Sequence, residues 1–340
     1  MESGMNSHCI CFTAKEKAEY LEEQTVGVPS GRKVLVKTHF DLISAGTELA
    51  NYHGLPNTAG GCGYPVYPGY SASGIVHAVG SEVTRFKEGD RVLCVGCGHR
   101  SWFLADEDNL FPVPDGVPME IAATAYVASF SLLGVRKLNL QLGESVMIAG
   151  LGLLGQFAAQ FARLSGAAQV LTCDFSPERR ELALQLGADY ALDPGESGFV
   201  EKVKALTDGE GPNGVVEVTG VIPAMQQALE YISWQGRMTL LGCTRISDQY
   251  IDFYRYVHLR GIQLIGCHTL TRPRHESRPG QWTGADDYKT FFKFVKSNRV
   301  KVEPIVPHVR MPKDAEAIYR ELGFGKNPPL GVLLDWRDID

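Results

Sequence analysis

Val146-Met147-Ile148-Ala149 runs straight into Gly150-Leu151-Gly152-Leu153-Leu154-Gly155, and from Gln156 onward apolar residues recur with helical spacing. A strand that turns through G-x-G-x-x-G into a helix leaves few folds open. The first glycine permits the tight turn, the second lets backbone approach a pyrophosphate, and the third lets helix and strand pack closely. The helix N-terminus then offers free N–H groups and a positive dipole end to phosphates. The next strand ends at Asp174, 24 positions beyond Gly150. An acid near that spacing accepts hydrogen bonds from an adenosine ribose 2′-hydroxyl and repels a 2′-phosphate. NAD is therefore the expected cofactor, with Gly150, Gly152, Leu153, Leu154, Gly155 and Asp174 around it. Arg179 lies against the adenosine in this reading, or is a solvated helix charge.

The flanking pattern extends the motif into a domain. Strand-like runs at Ser145–Ala149, Gln169–Cys173, Gly214–Val218, Arg237–Leu241 and Ile262–Ile265 alternate with helical runs at Leu153–Leu164, Pro177–Leu186 and Pro223–Ile232. Such alternation predicts a parallel sheet with helical crossovers. Residues 1–118 read differently, as short strands punctuated by Gly and Pro, including Val34–Lys37, Gly74–Gly80 and Gly89–Leu93. Helices are expected near 286–297 and 313–322, and a strand at 331–335.

Composition narrows the partners. At 340 residues, two domains are expected. A formal charge of -6 with both signs interspersed is a poor match to a phosphate backbone, so nucleic acid is not expected. No apolar run approaches the ~20 residues of a spanning helix, and no membrane partner is expected. Nothing at the N-terminus reads as an export signal. Eight cysteines spread over this length do not form a secreted disulfide framework. The expected location is the cytoplasm.

The chain resembles the medium-chain dehydrogenase/reductase superfamily, the alcohol dehydrogenase-like enzymes. The resemblance rests on Gly46-Thr47-Glu48, Pro68-Gly69, Gly74–Gly80, Gly89-Asp90-Arg91-Val92, Gly150–Gly155, Asp174, Leu186-Gly187-Ala188-Asp189, Glu217-Val218-Thr219-Gly220 and Gly236-Arg237. It implies an α/β chain with a GroES-like β domain, formed by residues 1–118 and 269–340. It also implies a Rossmann domain, a doubly wound parallel sheet, over 119–268. Thr219, Gly242 and Ile265 are then cofactor-binding, and a homodimer or homotetramer is the expected assembly.

Zinc-dependent members carry a Cys in a Gly-x-Cys-Gly-Thr-Asp motif; here the stretch is Ile43-Ser44-Ala45-Gly46-Thr47-Glu48. Their Gly-His-Glu motif matches Gly69-Tyr70-Ser71, and their third ligand falls at Tyr126 in a gapless alignment. Alanine cannot ligate and tyrosine is a rare zinc ligand, so no metal is expected. Of the four-cysteine structural lobe only Cys94-x-x-Cys97 remains, with His99 nearby, and the plainer reading is apolar cysteines in a strand and turn.

NAD can still carry a hydride while the protein orients it. The substrate oxygen needs a proton donor or acceptor. The resemblance implies that Thr47 relays the substrate proton. Tyr70 and Tyr126 replace ligands and are either donors to the substrate oxygen or fillers of the space. Glu48 matches an acid that orients a ligating His, and is a base or a structural acceptor. His99 and His268 are the best-placed candidate bases near neutral pH; His53 and His275 are weaker, and the resemblance implies that His308 is structural. A loop over 271–284 with Arg272, Arg274, His275, Arg278, Gln281 and Trp282 either suits a polyhydroxylated ligand or is solvated surface. The resemblance is closest to zinc-lacking sugar, glycoside and bacteriochlorophyllide dehydrogenases. It implies an NAD-dependent, zinc-independent oxidoreductase of a secondary alcohol or ketone, with a sugar, glycoside or cyclitol as the small-molecule substrate. Alternatives are a quinone or enoyl reductase, a redox-neutral NAD-assisted epimerisation or elimination, and a non-catalytic nucleotide sensor.

Overall fold

A computed structural model describes residues 5–339. The chain divides into two compact units. One, the β unit, takes the residues up to Val127 and those from Phe291 on; the other, the α/β unit, is Ala128–Thr290.

In the α/β unit six strands are hydrogen-bonded in parallel, in the order Tyr190–Leu192, Gln169–Cys173, Ser145–Ala149, Gly214–Glu217, Arg237–Leu240, Gln263–Gly266. The first strand in sequence therefore lies inside the sheet, and the order reverses between Ser145–Ala149 and Gly214–Glu217. This is the doubly wound arrangement with its switch point between those two strands. Helices Leu153–Leu164, Pro177–Gln185, Phe199–Ala205 and Ile222–Tyr231 are the crossovers. Val146, Met147, Ile148, Val215 and Val216 are fully buried, as strands covered on both faces require. The helix at Pro177 has Pro in its first turn and Ser176 as N-cap, whose hydroxyl accepts the Arg179 N–H at 3.2 Å.

The β unit is built from both ends of the chain. Its seven-stranded sheet has the order His308–Arg310, Val332–Asp335, Lys33–Ile43, Ser71–Val79, Arg91–Val95, Leu110–Pro112, with Trp102–Asp106 also on Lys33–Ile43. Along one edge Lys33–Ile43 therefore meets two strands: Lys33–Lys37 pairs with Trp102–Asp106, and Phe40–Ile43 with Val332–Asp335, both antiparallel. A hairpin, Met5–Ala14 and Lys17–Val26, stands beside this sheet. Ile10, Phe12, Ile43, Tyr319, Leu334 and Trp336 share one buried cluster.

The junctions lie at 127/128 and 290/291, later than the 118/119 and 268/269 read from the sequence. The first junction is later because Met119 and Ala123 are held by the β unit, their carbonyls accepting from the Ser73 and Ser71 hydroxyls at 2.7 and 2.5 Å. The second is later because the loop after Cys267 packs on the helix Ala125–Leu138. A Cβ on Gly134 would meet Leu241 and Val216, so this helix packs on the parallel sheet. Arg272 donates from Nη2 to the Ser129 carbonyl and hydroxyl of the same helix, at 2.5 and 3.0 Å. Arg136 pairs through Nε with Asp287 at 3.0 Å and lies over the Trp282 ring at 3.7 Å. Loop and helix thus stay with the parallel sheet. Among the described residues no helix is long and apolar enough to cross a membrane.

Candidate functional site

In the α/β unit the glycine motif forms a cradle at the switch point. Gly150 has φ +99°, in the left-handed region that favours glycine. A Cβ on Gly155 would stand 1.9 Å from the Gly150 carbonyl oxygen, so only glycine lets this helix close onto this strand. Gly152 differs: a Cβ there meets nothing within 4 Å. Its face is open at the N-terminus of Leu153–Leu164, where the first-turn N–H groups have no intrahelical acceptor and the N-cap Gly152 makes no side-chain cap hydrogen bond. Open backbone at a helix N-terminus fits a pyrophosphate.

The other expected cofactor residues border this cradle. Asp174 accepts the Leu151 N–H at 2.8 Å with one carboxylate oxygen and the Ser176 N–H at 2.9 Å with the other. Each oxygen keeps a lone pair for a ribose hydroxyl. On the far side of the switch, Thr219 donates its hydroxyl to Glu217 Oε1, and the Thr219 N–H reaches the same oxygen at 2.7 Å. Burial pushes the Glu217 carboxyl up, against the hydrogen bonds from Thr219 and Gly220. Gly242 packs on this loop: a Cβ there would lie 2.2 Å from the Gly220 nitrogen. Ile265 stands in the edge strand opposite Thr239. Arg179 is half-buried, and its carbonyl accepts from Gln156 Nε2 at 2.8 Å.

A second polar cluster lies in the β unit. Ser44 leads into the helix Ala45–Tyr52, and Glu48 in its first turn reaches back, accepting the Ser44 N–H at 2.8 Å. The other Glu48 oxygen accepts from His99 Nε2 at 2.9 Å and from the Tyr319 hydroxyl. His99 Nδ1 lies 2.8 Å from Asp41 Oδ2, which also accepts from Trp336 Nε1 at 2.9 Å. Asp41, Glu48 and His99 are each 1% exposed. Burial alone would push the imidazole down, but the two carboxylates hold it up to about 10. Burial likewise pushes Asp41 up, against the pull of His99.

Tyr70 adjoins this cluster. Its phenol donates to the Ser44 hydroxyl and is hydrogen-bonded to Thr47. Its ring meets Tyr126 edge-on, 5.6 Å between centroids. Burial and the Glu48 charge push the phenol well above its ordinary value, so it keeps its proton through the neutral range.

The structure thus brings Thr47, Glu48, Tyr70, His99 and Tyr126 together. His99, expected as a base, lies buried between two acids whose charges hold its pKa up to about 10. His268 belongs to the α/β unit and is exposed, with Nδ1 accepting the Leu270 N–H at 3.2 Å. Of the arginines in the 271–284 loop, Arg272 is tied to Asp287 and Ser129 and Arg278 donates to Gln281, so both serve the loop itself. Sequence reasoning missed Ser44, Asp41, Tyr319 and Trp336. Asp41 did leave a signal, as a lone carboxylate in the apolar run Phe40-Asp41-Leu42-Ile43.

At the positions matched to zinc ligands, Ala45 has no donor atom, Tyr70 is bonded to Ser44 and Thr47, and Tyr126 packs against Tyr70. This donor set does not fit zinc, which takes His, Cys and carboxylates.

Two family models match the chain: an alcohol dehydrogenase GroES-like domain over residues 26–132, and a zinc-binding dehydrogenase over 154–283. The chain is 25% identical over 232 residues to D-guloside 3-dehydrogenase of Shigella flexneri, covering 68% of this chain and 66% of that one. It thus spans just under two thirds of that relative. It is 23% identical over 337 residues to sorbitol dehydrogenase of Halalkalibacterium halodurans, covering 90% and 93%. The crystal structure of galactitol-1-phosphate dehydrogenase from Escherichia coli has the same fold, with TM-score 0.84 at 20% identity over 96% of this chain and 99% of that one.

Proposed function

Because the chain belongs to the medium-chain dehydrogenase/reductase superfamily, we propose that it is an NAD-dependent oxidoreductase of a secondary alcohol or its ketone, working without catalytic zinc. The observation that carries this reading is the Tyr70 phenol, protonated and hydrogen-bonded to Ser44 and Thr47, where the family's metal-binding motifs supply a ligand. When bound, the nicotinamide accepts or returns the hydride. The chain's own part is to hold the substrate oxygen. In the ketone direction the Tyr70 proton turns from Ser44 to that oxygen and is replaced from water through Thr47; in the alcohol direction the proton returns to water along the same path. A donor already held beside the oxygen lowers the barrier where negative charge develops. Asp174 at the end of the second strand supports NAD over NADP.

A sugar, glycoside or cyclitol is the substrate class. The guloside and sorbitol dehydrogenases it resembles support this, since their names describe enzymes of polyhydroxylated alcohols. The proposed setting is the cytoplasm, and the proposed assembly a homodimer or homotetramer.

The test is NADH formation with sorbitol, myo-inositol and methyl glucosides, in metal-free buffer and with added zinc. Turnover without zinc is expected, and Tyr70→Phe should lower kcat by about 10²-fold. Strict dependence on zinc, or good turnover of an enone with NADPH alongside none of these alcohols, overturns the reading.

A further inference from the structure

We infer that His99 is the positioning residue for Tyr70, its imidazole clamping both stretches of chain that hold the phenol. This rests on the reading of Tyr70 as the donor to the substrate oxygen.

One stretch is the start of the helix Ala45–Tyr52. His99 Nε2 binds Glu48, and Glu48 holds the Ser44 N–H. Ser44 and Thr47 in turn bond the phenol. The other stretch is Pro68-Gly69-Tyr70 itself. The His99 N–H donates to the Pro68 carbonyl at 2.8 Å, and Gly96, in the same turn, donates to the Tyr70 carbonyl at 2.9 Å. The ring lies directly on Gly69: a Cβ there would stand 2.6 Å from His99 Nδ1 and 2.7 Å from Cγ. Gly69 also has φ +93°, so glycine is demanded twice at the residue preceding Tyr70. The phenol is thus located from its hydroxyl end through Glu48 and from its backbone end through Gly69, with His99 common to both routes.

The clamp needs a proton on Nε2, which faces the Glu48 carboxylate at 2.9 Å. Nδ1 lies 2.8 Å from Asp41 in ion-pair contact. Tyr319 bonds the same Glu48 oxygen, Trp336 bonds Asp41, and the charge of Asp41 reaches the Cys97 thiol. No other cation is paired with Asp41 or Glu48 among the described residues.

A double-mutant cycle tests this, using whichever of sorbitol, myo-inositol or methyl glucoside gives NADH. His99→Gln should lower kcat by about 10²-fold, the scale of a misplaced catalytic group, while NAD affinity holds. In a Tyr70→Phe background the same change should cost nothing further. If the two losses multiply, the inference is overturned and the proposed function stands. If Tyr70→Phe costs nothing, or none of the three alcohols turns over, both fall. Should His99→Gln fail to fold, Glu48→Gln, which keeps the side chain's shape, enters the same cycle. In the unaltered protein, 15N spectra should show His99 Nε2 protonated from about pH 6 to about pH 9, where a free imidazole loses its proton. An unprotonated Nε2 in that range also overturns the inference.

Discussion

Two alanines distinguish closing the fold from holding the cofactor. Gly155→Ala places a methyl 1.9 Å from a backbone oxygen that has nowhere to move, so it should lower both the melting temperature and NADH affinity. Gly152→Ala meets no protein atom within 4 Å, so it should keep the melting temperature within a few degrees while weakening NADH binding by tenfold or more. Thermal melts and NADH fluorescence titrations read the two effects separately; equal behaviour of the variants would deny Gly152 its role. His99 makes a pH prediction of definite sign. A group held up in the folded state binds a proton that the unfolded chain has released. Its contribution is complete below the ordinary imidazole value of 6.5 and is lost as pH rises through about 10. Stability measured in urea should therefore fall between those limits, and His99→Gln should flatten that fall.

Among the elements, the 271–284 loop and the helix Gly284–Lys296 depend on one buried carboxylate. Asp287 is 0% exposed and is paired with Arg136 at 3.0 Å and Arg272 at 3.4 Å. Arg272→Met removes one counter-charge and leaves the Ser129 carbonyl without that donor. A loss of about 3–5 kcal/mol is expected, the usual cost of breaking a buried pair from one side, measured by urea unfolding. The helix Leu153–Leu164 and the strands Ser145–Ala149 and Gln169–Cys173 are legible in the sequence to the residue, because apolar runs and glycine turns mark local backbone demands. Tyr190–Leu192 and Phe199–Ala205 are not, being short and without a clear period. The glycine cradle is legible for the same local reason. The cluster around His99 is only half legible. Thr47, Glu48, Tyr70 and His99 stand in or beside recognisable motifs, but Tyr319 lies 271 positions from its partner Glu48, and Trp336 lies 295 from Asp41. No periodicity announces a hydrogen bond across such a separation.

For the whole molecule, the decisive fact is that the α/β unit is one continuous segment while the β unit is not. A chain shortened to residue 330 loses the strand Val332–Asp335 and the buried Trp336. It should still bind NADH through Ala128–Thr290, yet be cut rapidly by protease within the β unit. Protease resistance there equal to that of the full chain would contradict this account of the sheet.

The strand Lys33–Ile43 is filled along one edge by an early partner at Lys33–Lys37 and by a late one at Phe40–Ile43. On the ribosome, where about 5–20 residues emerge each second, the stretch from Thr290 to Asp335 takes about 2–9 s. For that interval the α/β unit is complete while the β unit has a bare ladder of N–H and C=O groups at residues 40–43. Unpaired edges of this kind recruit other chains. The strand of this sheet that is synthesised last is therefore also the one whose delay leaves the newborn chain most exposed to a wrong partner.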